Sequence, residues 1–207
     1  MNFFICLFLG VIVATSGSVV PSYLNLTVVK YSLKSGKKAA FYLIGGFATV
    51  LFFQANIGAY LSNVLMENSE YISLIQKIGS VILILLSINF FRLHFTPNER
   101  KKKIEIKKSK AYLSGIGLSI INTTAIPFYF TSISLLISID YFEYSLENSL
   151  YFSLGSTIGS FSLYALYAII ANRIAHKLQV IADKMNLILG FLTATVSIIN
   201  LIYLFVL

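Results

Sequence analysis

Acidic residues are scarce in this chain. Eight Asp and Glu stand against sixteen Lys and Arg, and none of the eight lies deep within an apolar run. That absence removes the intramembrane carboxylate that proton-coupled carriers commonly use as a relay. The apolar runs hold no paired carboxylates, no His/Asp cluster and no nucleophile–base pair, so an enzyme embedded in a membrane has nothing to work with. Cysteine is down to one, Cys6. A disulfide within the chain is therefore excluded, and no Cys/His spacing supports a metal site. His94 and His176 lie near the ends of runs and read as loop histidines. Charge of either sign is low, at 12% of residues against 57% hydrophobic, where a soluble domain carries about 25% charged residues. The net charge of +8 does not point to nucleic acid. No DNA- or RNA-binding motif is present, and the lysines fall in short segments between apolar runs.

What is abundant is long apolar sequence. Six runs, roughly Phe3–Leu26, Ala39–Leu65, Ile72–Phe91, Ala111–Ile139, Leu150–Ala171 and Leu187–Leu207, take up most of the 207 residues. Each reaches the ~20 residues that carry a helix across a ~30 Å hydrocarbon core. In lipid the backbone must satisfy its own hydrogen bonds, which requires helix here. The expected fold is all-α: a polytopic membrane protein of six transmembrane helices.

The segments between runs alternate in charge. The first holds Lys30, Lys34, Lys37 and Lys38 without an acid, and the second Glu67 and Glu70. The third is strongly basic, the fourth holds Asp140, Glu143 and Glu147 without a base, and the fifth holds Arg173, Lys177 and Lys184 against Asp183. Cytoplasmic loops are the ones enriched in Lys and Arg, so both termini are expected outside. The first run has no basic region ahead of it and a basic segment behind it, the pattern of a retained span rather than a cleaved signal.

The third segment, RLHFTPNERKKKIEIKKSK, is the one obvious linker. It divides a single membrane domain into a first three-helix half, 1–93, a basic cytoplasmic linker, 94–110, and a second half, 111–207. Three spans per half make the halves two inverted repeats, a geometry that places a substrate site between them near the midplane. The linker itself suits anionic lipid head groups.

Polar residues interrupt the runs in matched places. The first run ends ATSGSVVPSYLNLT, where Gly10, Ala14, Gly17 and Pro21 recur at helical spacing. Pro21 donates no N–H, which frees a carbonyl one turn earlier; Ser16, Ser18, Asn25 or a bound substrate are its candidate partners. The fourth run carries GIGLSIINTTAIPFYF, with Asn122, Thr123 and Thr124 ahead of Pro127, expected to break that helix. A Gly- and Pro-interrupted helix at the start of each half is the sequence pointer to a transporter site; kinked packing helices with polar caps are the plainer reading. In the second run Gln54 and Asn56 project about 200° apart on a helix, so one of them at most faces a central cavity, and either can be interhelical glue. In the fifth run Gly155 and Gly159 form a GxxxG pair, with Ser153, Thr157, Ser160 and Tyr164 following one another on a face. That pair suits internal packing and also permits a homodimer. Lys77, beside Gln76 near the outer end of the third run, is expected to snorkel.

These residues together resemble the lysine-exporter (LysE-type) translocator family, small bacterial inner-membrane exporters of six spans with inverted halves. VPSYLNLTVVKYSLKSGKKAAFYLIGG resembles the family's proline–glycine segment, its Asn and its basic Gly turn. GIGLSIINTTAIPFYF resembles the Gly-rich segment and Asn-Pro motif that open the second half, and the last 60 or so residues resemble its closing helices. The chain departs from the pattern at Ser22 and Tyr23, which follow Pro21 in place of Gly-Pro, at Thr123, which stands in place of the second-half proline, and at Leu51, which stands near the family's second-span acid.

The resemblance implies an amino-acid exporter of the inner membrane, and the breaks imply alternating access between the halves. The substrate shell expected is Ser18, Pro21, Asn25, Gln54, Asn122, Thr123, Thr124 and Pro127. Its partners are a small-molecule substrate and membrane lipid, with no cofactor, no metal and no nucleic acid. A non-transporting membrane scaffold or assembly component is the competing reading.

Overall fold

The computed structural model describes residues 2–20, 22–67, 81, 84–85, 87–92, 95, 110–122 and 124–206. Among them every regular element is helical: α1 (Phe3–Val19), α2 (Tyr23–Ser35), α3 (Lys37–Glu67), α4 (Ala111–Ile121), α5 (Ala125–Ser138), α6 (Leu146–Ile169) and α7 (Ala171–Val206), with residues 87–92 also helical. Pro21, Thr123, Lys77, His94 and most of the 94–110 linker lie outside the described residues.

The chain divides into two compact units, one of Met1–Met66 with Ile106–His176, the other of Glu67–Glu105 with Lys177–Leu207. In the second unit Ser87 Oγ donates to the Gly190 carbonyl at 2.9 Å. The Phe91 ring meets Phe191 edge-on at 5.1 Å, and it packs where a side chain on Gly190 would otherwise sit.

The first unit is built on two helix pairs in near backbone contact. A methyl added at Gly155 of α6 would lie 2.0 Å from the Leu7 carbonyl oxygen of α1, and one at Gly10 would lie 2.1 Å from the Phe152 carbonyl oxygen. Gly159 faces Val11 in the same way. Across the other pair, Gly115 of α4 abuts the Leu43 carbonyl at 2.1 Å and Gly46 of α3 abuts the Tyr112 carbonyl at 2.2 Å, again measured to an added methyl. Lipid offers apolar side chains no hydrophobic gain on leaving it, so helices associate through dispersion and hydrogen bonds. Small residues maximise both by letting backbones approach. Contacts climb each pair in step, from Leu7–Gly155 to a Tyr167 hydroxyl on the Val19 carbonyl, and from Leu43–Gly115 to Gln54–Ser119. The two helices of each pair therefore run in the same direction.

Two helix pairs are sharply bent at short breaks. α1 and α2 meet at 79°, and α4 and α5 at 63°. Counting each bent pair as one span, the described residues hold up to four spans, of which Lys37–Leu65 and Leu146–Ile169 are long and apolar enough by themselves.

Two expectations need correction. The basic stretches taken as the first and fifth loops are helical. Lys30 and Lys34 lie on α2, and Arg173, Lys177 and Lys184 on α7. α2 turns into α3 at the single residue Gly36, whose φ of 86° is a left-handed value that side chains with a Cβ resist. The buried face of α2 (Leu24, Val28, Tyr31) makes a helix of what mean hydropathy reads as a connector. Pro127 does not break the fourth run either. It sits in the first turn of α5, where its missing N–H has no helical partner to lose; α4 already ends at Ile121.

Charge separates to the ends of this unit. Ser32 of α2 bonds the Ala168 carbonyl of α6, and α2 leads directly into α3, so Lys34, Lys37, Lys38, Lys110 and Arg173 share one end, all exposed. Asp140, Glu143 and Glu147 are exposed in and beside the α5–α6 connection. They share the opposite end with the start of α1, where Cys6 meets Asn148.

Candidate functional site

The interior of the first unit is where its polar residues are. Asn25 and Ser119 are fully buried, Gln54 is 6% exposed, and Ser149, Ser153, Ser156 and Ser160 line the inner face of α6. Among the described residues no buried side chain carries a charge. The outside is the reverse: Phe4, Phe8, Phe53, Tyr60, Leu135, Leu154 and Leu166 are all exposed. A protein in water does not present so continuous an apolar surface.

At the first break Asn25 spans the gap. Its Nδ2 donates to the Ser18 carbonyl at 2.8 Å, and its Oδ1 accepts from the Ser22 N–H at 3.2 Å and from the Ser22 hydroxyl. Asn25 thus serves the Ser18 carbonyl near the end of α1. Ser16 instead bonds back to Val13 in its own helix. Ser18 Oγ faces Ser160 Oγ of α6 at 3.4 Å.

The second break is built differently. Among the described residues, Asn122 Oδ1 accepts only from the Thr124 hydroxyl, at 2.7 Å, and Asn122 is half-buried. Thr124 places no side chain over the first turn of α5. The Ser119 carbonyl, one turn before the break, accepts from the Asn122 N–H at 3.1 Å and from Gln54 Nε2 at 3.2 Å. Among the described residues Gln54 Oε1 and Ser119 Oγ have no hydrogen-bond partner, nor does Ser153 Oγ.

The structure thus brings Gln54 to Asn122 and Thr124, and brings Ser18 to Asn25. Asn56 points elsewhere. It bonds Ser149 of α6 and the Phe52 carbonyl of its own helix, and so acts as interhelical glue. Gly155 and Gly159 are spent on α1 inside the chain. Leu51 is part of the apolar core. Ser119 was missed from sequence because a serine in a Gly- and Ser-rich helix carries no signal of its own. Its place three residues before an Asn-Thr-Thr break was the available clue.

Apolar outside, uncharged polar groups inside, and helices broken where those groups gather define an integral membrane protein with a buried polar site. The family model described as LysE type translocator matches residues 15–204, and the chain belongs to that family. Its members are transporters, and the class of function is passage of small molecules through a membrane. No curated protein and no solved structure matches the chain.

Proposed function

We propose that this protein exports amino acids or related small polar metabolites from the bacterial cytoplasm. It does so by alternating access between two inverted three-helix halves, 1–93 and 111–207, joined by the basic linker 94–110, in the inner membrane with both termini outside. The observation that carries the reading is the exchange of partners in the first unit. The leading helix of the first half, α1, lies along α6 of the second, while the leading helix of the second half, α4, lies along α3 of the first. Each pairing is parallel, is made by glycine on backbone, and ends in a polar contact beside a break: Ser18 with Ser160, Ser119 with Gln54. A repeat related by a two-fold axis in the membrane plane has this exchange, and broken leading helices are where such transporters hold substrate.

The gathering of Lys34, Lys37, Lys38, Lys110 and Arg173 at one end supports that end as cytoplasmic. Ser18, Gln54, Asn122, Thr123 and Thr124 surround the substrate. Pro21, Asn25 and Pro127 complete the shell. With no carboxylate buried among the described residues, recognition runs through amides, hydroxyls and helix ends.

Flux into inside-out vesicles across an amino-acid panel tests the proposal. Substrate-dependent uptake that falls at least tenfold in Asn122→Ala is expected. No flux for any amino acid, together with stable co-purification of another membrane protein, would favour the scaffold instead. Reporter fusions that place either terminus in the cytoplasm would reject the topology.

A further inference from the structure

The two breaks differ in how their polar atoms are satisfied. Every polar atom of Asn25 that the first break offers is used, and used within the chain. At the second break two groups stand idle in a buried place. Gln54 Oε1 is an acceptor on a side chain 6% exposed, and Ser119 Oγ is a donor and acceptor on a side chain with no exposure. They belong to one locus, because the Gln54 amide rests on the Ser119 carbonyl. Gly46 and Gly115 already hold α3 and α4 at backbone contact two turns and one turn earlier, so that crossing cannot tighten further. α5 starts at Ala125, six residues beyond Ser119, with no side chain capping it; such an end favours negative charge. Buried polar groups without partners are uncommon in native proteins, and each calls for a ligand, a water or a role.

We propose that Gln54 and Ser119 form a ligand subsite at the second break, and that it takes a net-neutral ligand with both an N–H donor and an acceptor group. Gln54 Oε1 accepts from the ligand's ammonium or amide. Ser119 Oγ donates to its polar body, and the start of α5 meets its carboxylate. No charged side chain is buried among the described residues. An additional charge on the ligand would therefore find no buried counter-charge among the described residues and would carry its desolvation cost. The first break is the structural one, closed by Asn25. This assignment rests on the transporter reading for the identity of the ligand, but not for the existence of the subsite.

The test uses the full-length protein in lipid nanodiscs and vesicles. Thermal unfolding is followed with leucine and threonine as net-neutral probes and lysine as the net-cationic one, in wild type, Ser119→Ala and Gln54→Met. A neutral amino acid should raise the unfolding temperature of the wild type, and lysine at the same concentration should not. Ser119→Ala should unfold at or above the wild-type temperature when ligand-free, whereas Gln54→Met also loses the amide's bond to the Ser119 carbonyl and is read by its binding alone; both should need at least tenfold more ligand for the same shift. Groups that serve only packing would behave oppositely: a fall of several degrees without ligand, and unchanged binding, overturns the proposal. An equal shift by lysine overturns its net-neutral part.

A second measurement separates the subsite from the amino-acid reading. In a Cys6→Ser background, Ser119→Cys is exposed to a small membrane-impermeant thiol reagent from each side of the vesicle. Reaction from at least one side supports the subsite, even where no amino acid shifts the wild type and the amino-acid reading has failed. Protection from both sides overturns it, whatever the flux.

Discussion

The break between α1 and α2 and the break between α4 and α5 are made of similar sequence, glycines and serines followed by an Asn, and end in different physical states. In the first, one fully buried amide ties together the end of one helix and the start of the next through Ser18 and Ser22. In the second, the corresponding amide holds, among the described residues, only its neighbour Thr124, and the end of α4 is met instead by Gln54 from another helix. A helix interruption inside a membrane is tolerated only where the freed backbone groups find partners in protein or line a polar cavity. One break takes the first solution and the other leans towards the second.

Four variants sharpen that contrast. The largest effect is expected where the two breaks are alike, in the glycine contacts beneath them. Gly155→Leu and Gly46→Leu each drive a side chain into a facing carbonyl 2.0–2.2 Å from where its first carbon would be. Both should abolish the monodisperse peak of detergent-purified protein on size exclusion, and a normal peak from either would refute the pairing it belongs to. Asn25→Leu comes next. It leaves the Ser18 carbonyl and the Ser22 N–H without partners, at a cost of about 3 kcal/mol, read as a shift in reversible unfolding by denaturing detergent. Asn122→Ala should be the mildest, about 1 kcal/mol, with transport lost all the same. Equal destabilisation by the two Asn variants would erase the distinction between the breaks.

Much of this was open to reading along the chain. Runs such as Ala39–Leu65 became α3, and Leu150–Ala171 became the body of α6, because a twenty-residue apolar stretch has one stable form in lipid. The second interruption was visible as Asn122, and the use of glycine in packing as Gly155 and Gly159. Less legible were the ends. Lys30 and Lys34 read as loop residues, because the buried face that holds α2 in place consists of every third or fourth residue and vanishes in an average over the stretch. Pro127 read as the breaker, because proline is conspicuous, whereas the position that decides its effect, first turn or interior, depends on where the helix begins.

The sequence by itself determined the solvent, the helical class and the charge at each end of the spans. These depend on sums over neighbouring residues, which a one-dimensional pattern records in full. Only the tertiary structure decided which polar side chains are satisfied. Gln54 meets Ser119 across 65 positions and Ser18 meets Ser160 across 142, and whether a buried amide is a staple or a vacancy depends on what those distant segments bring within about 3 Å of it.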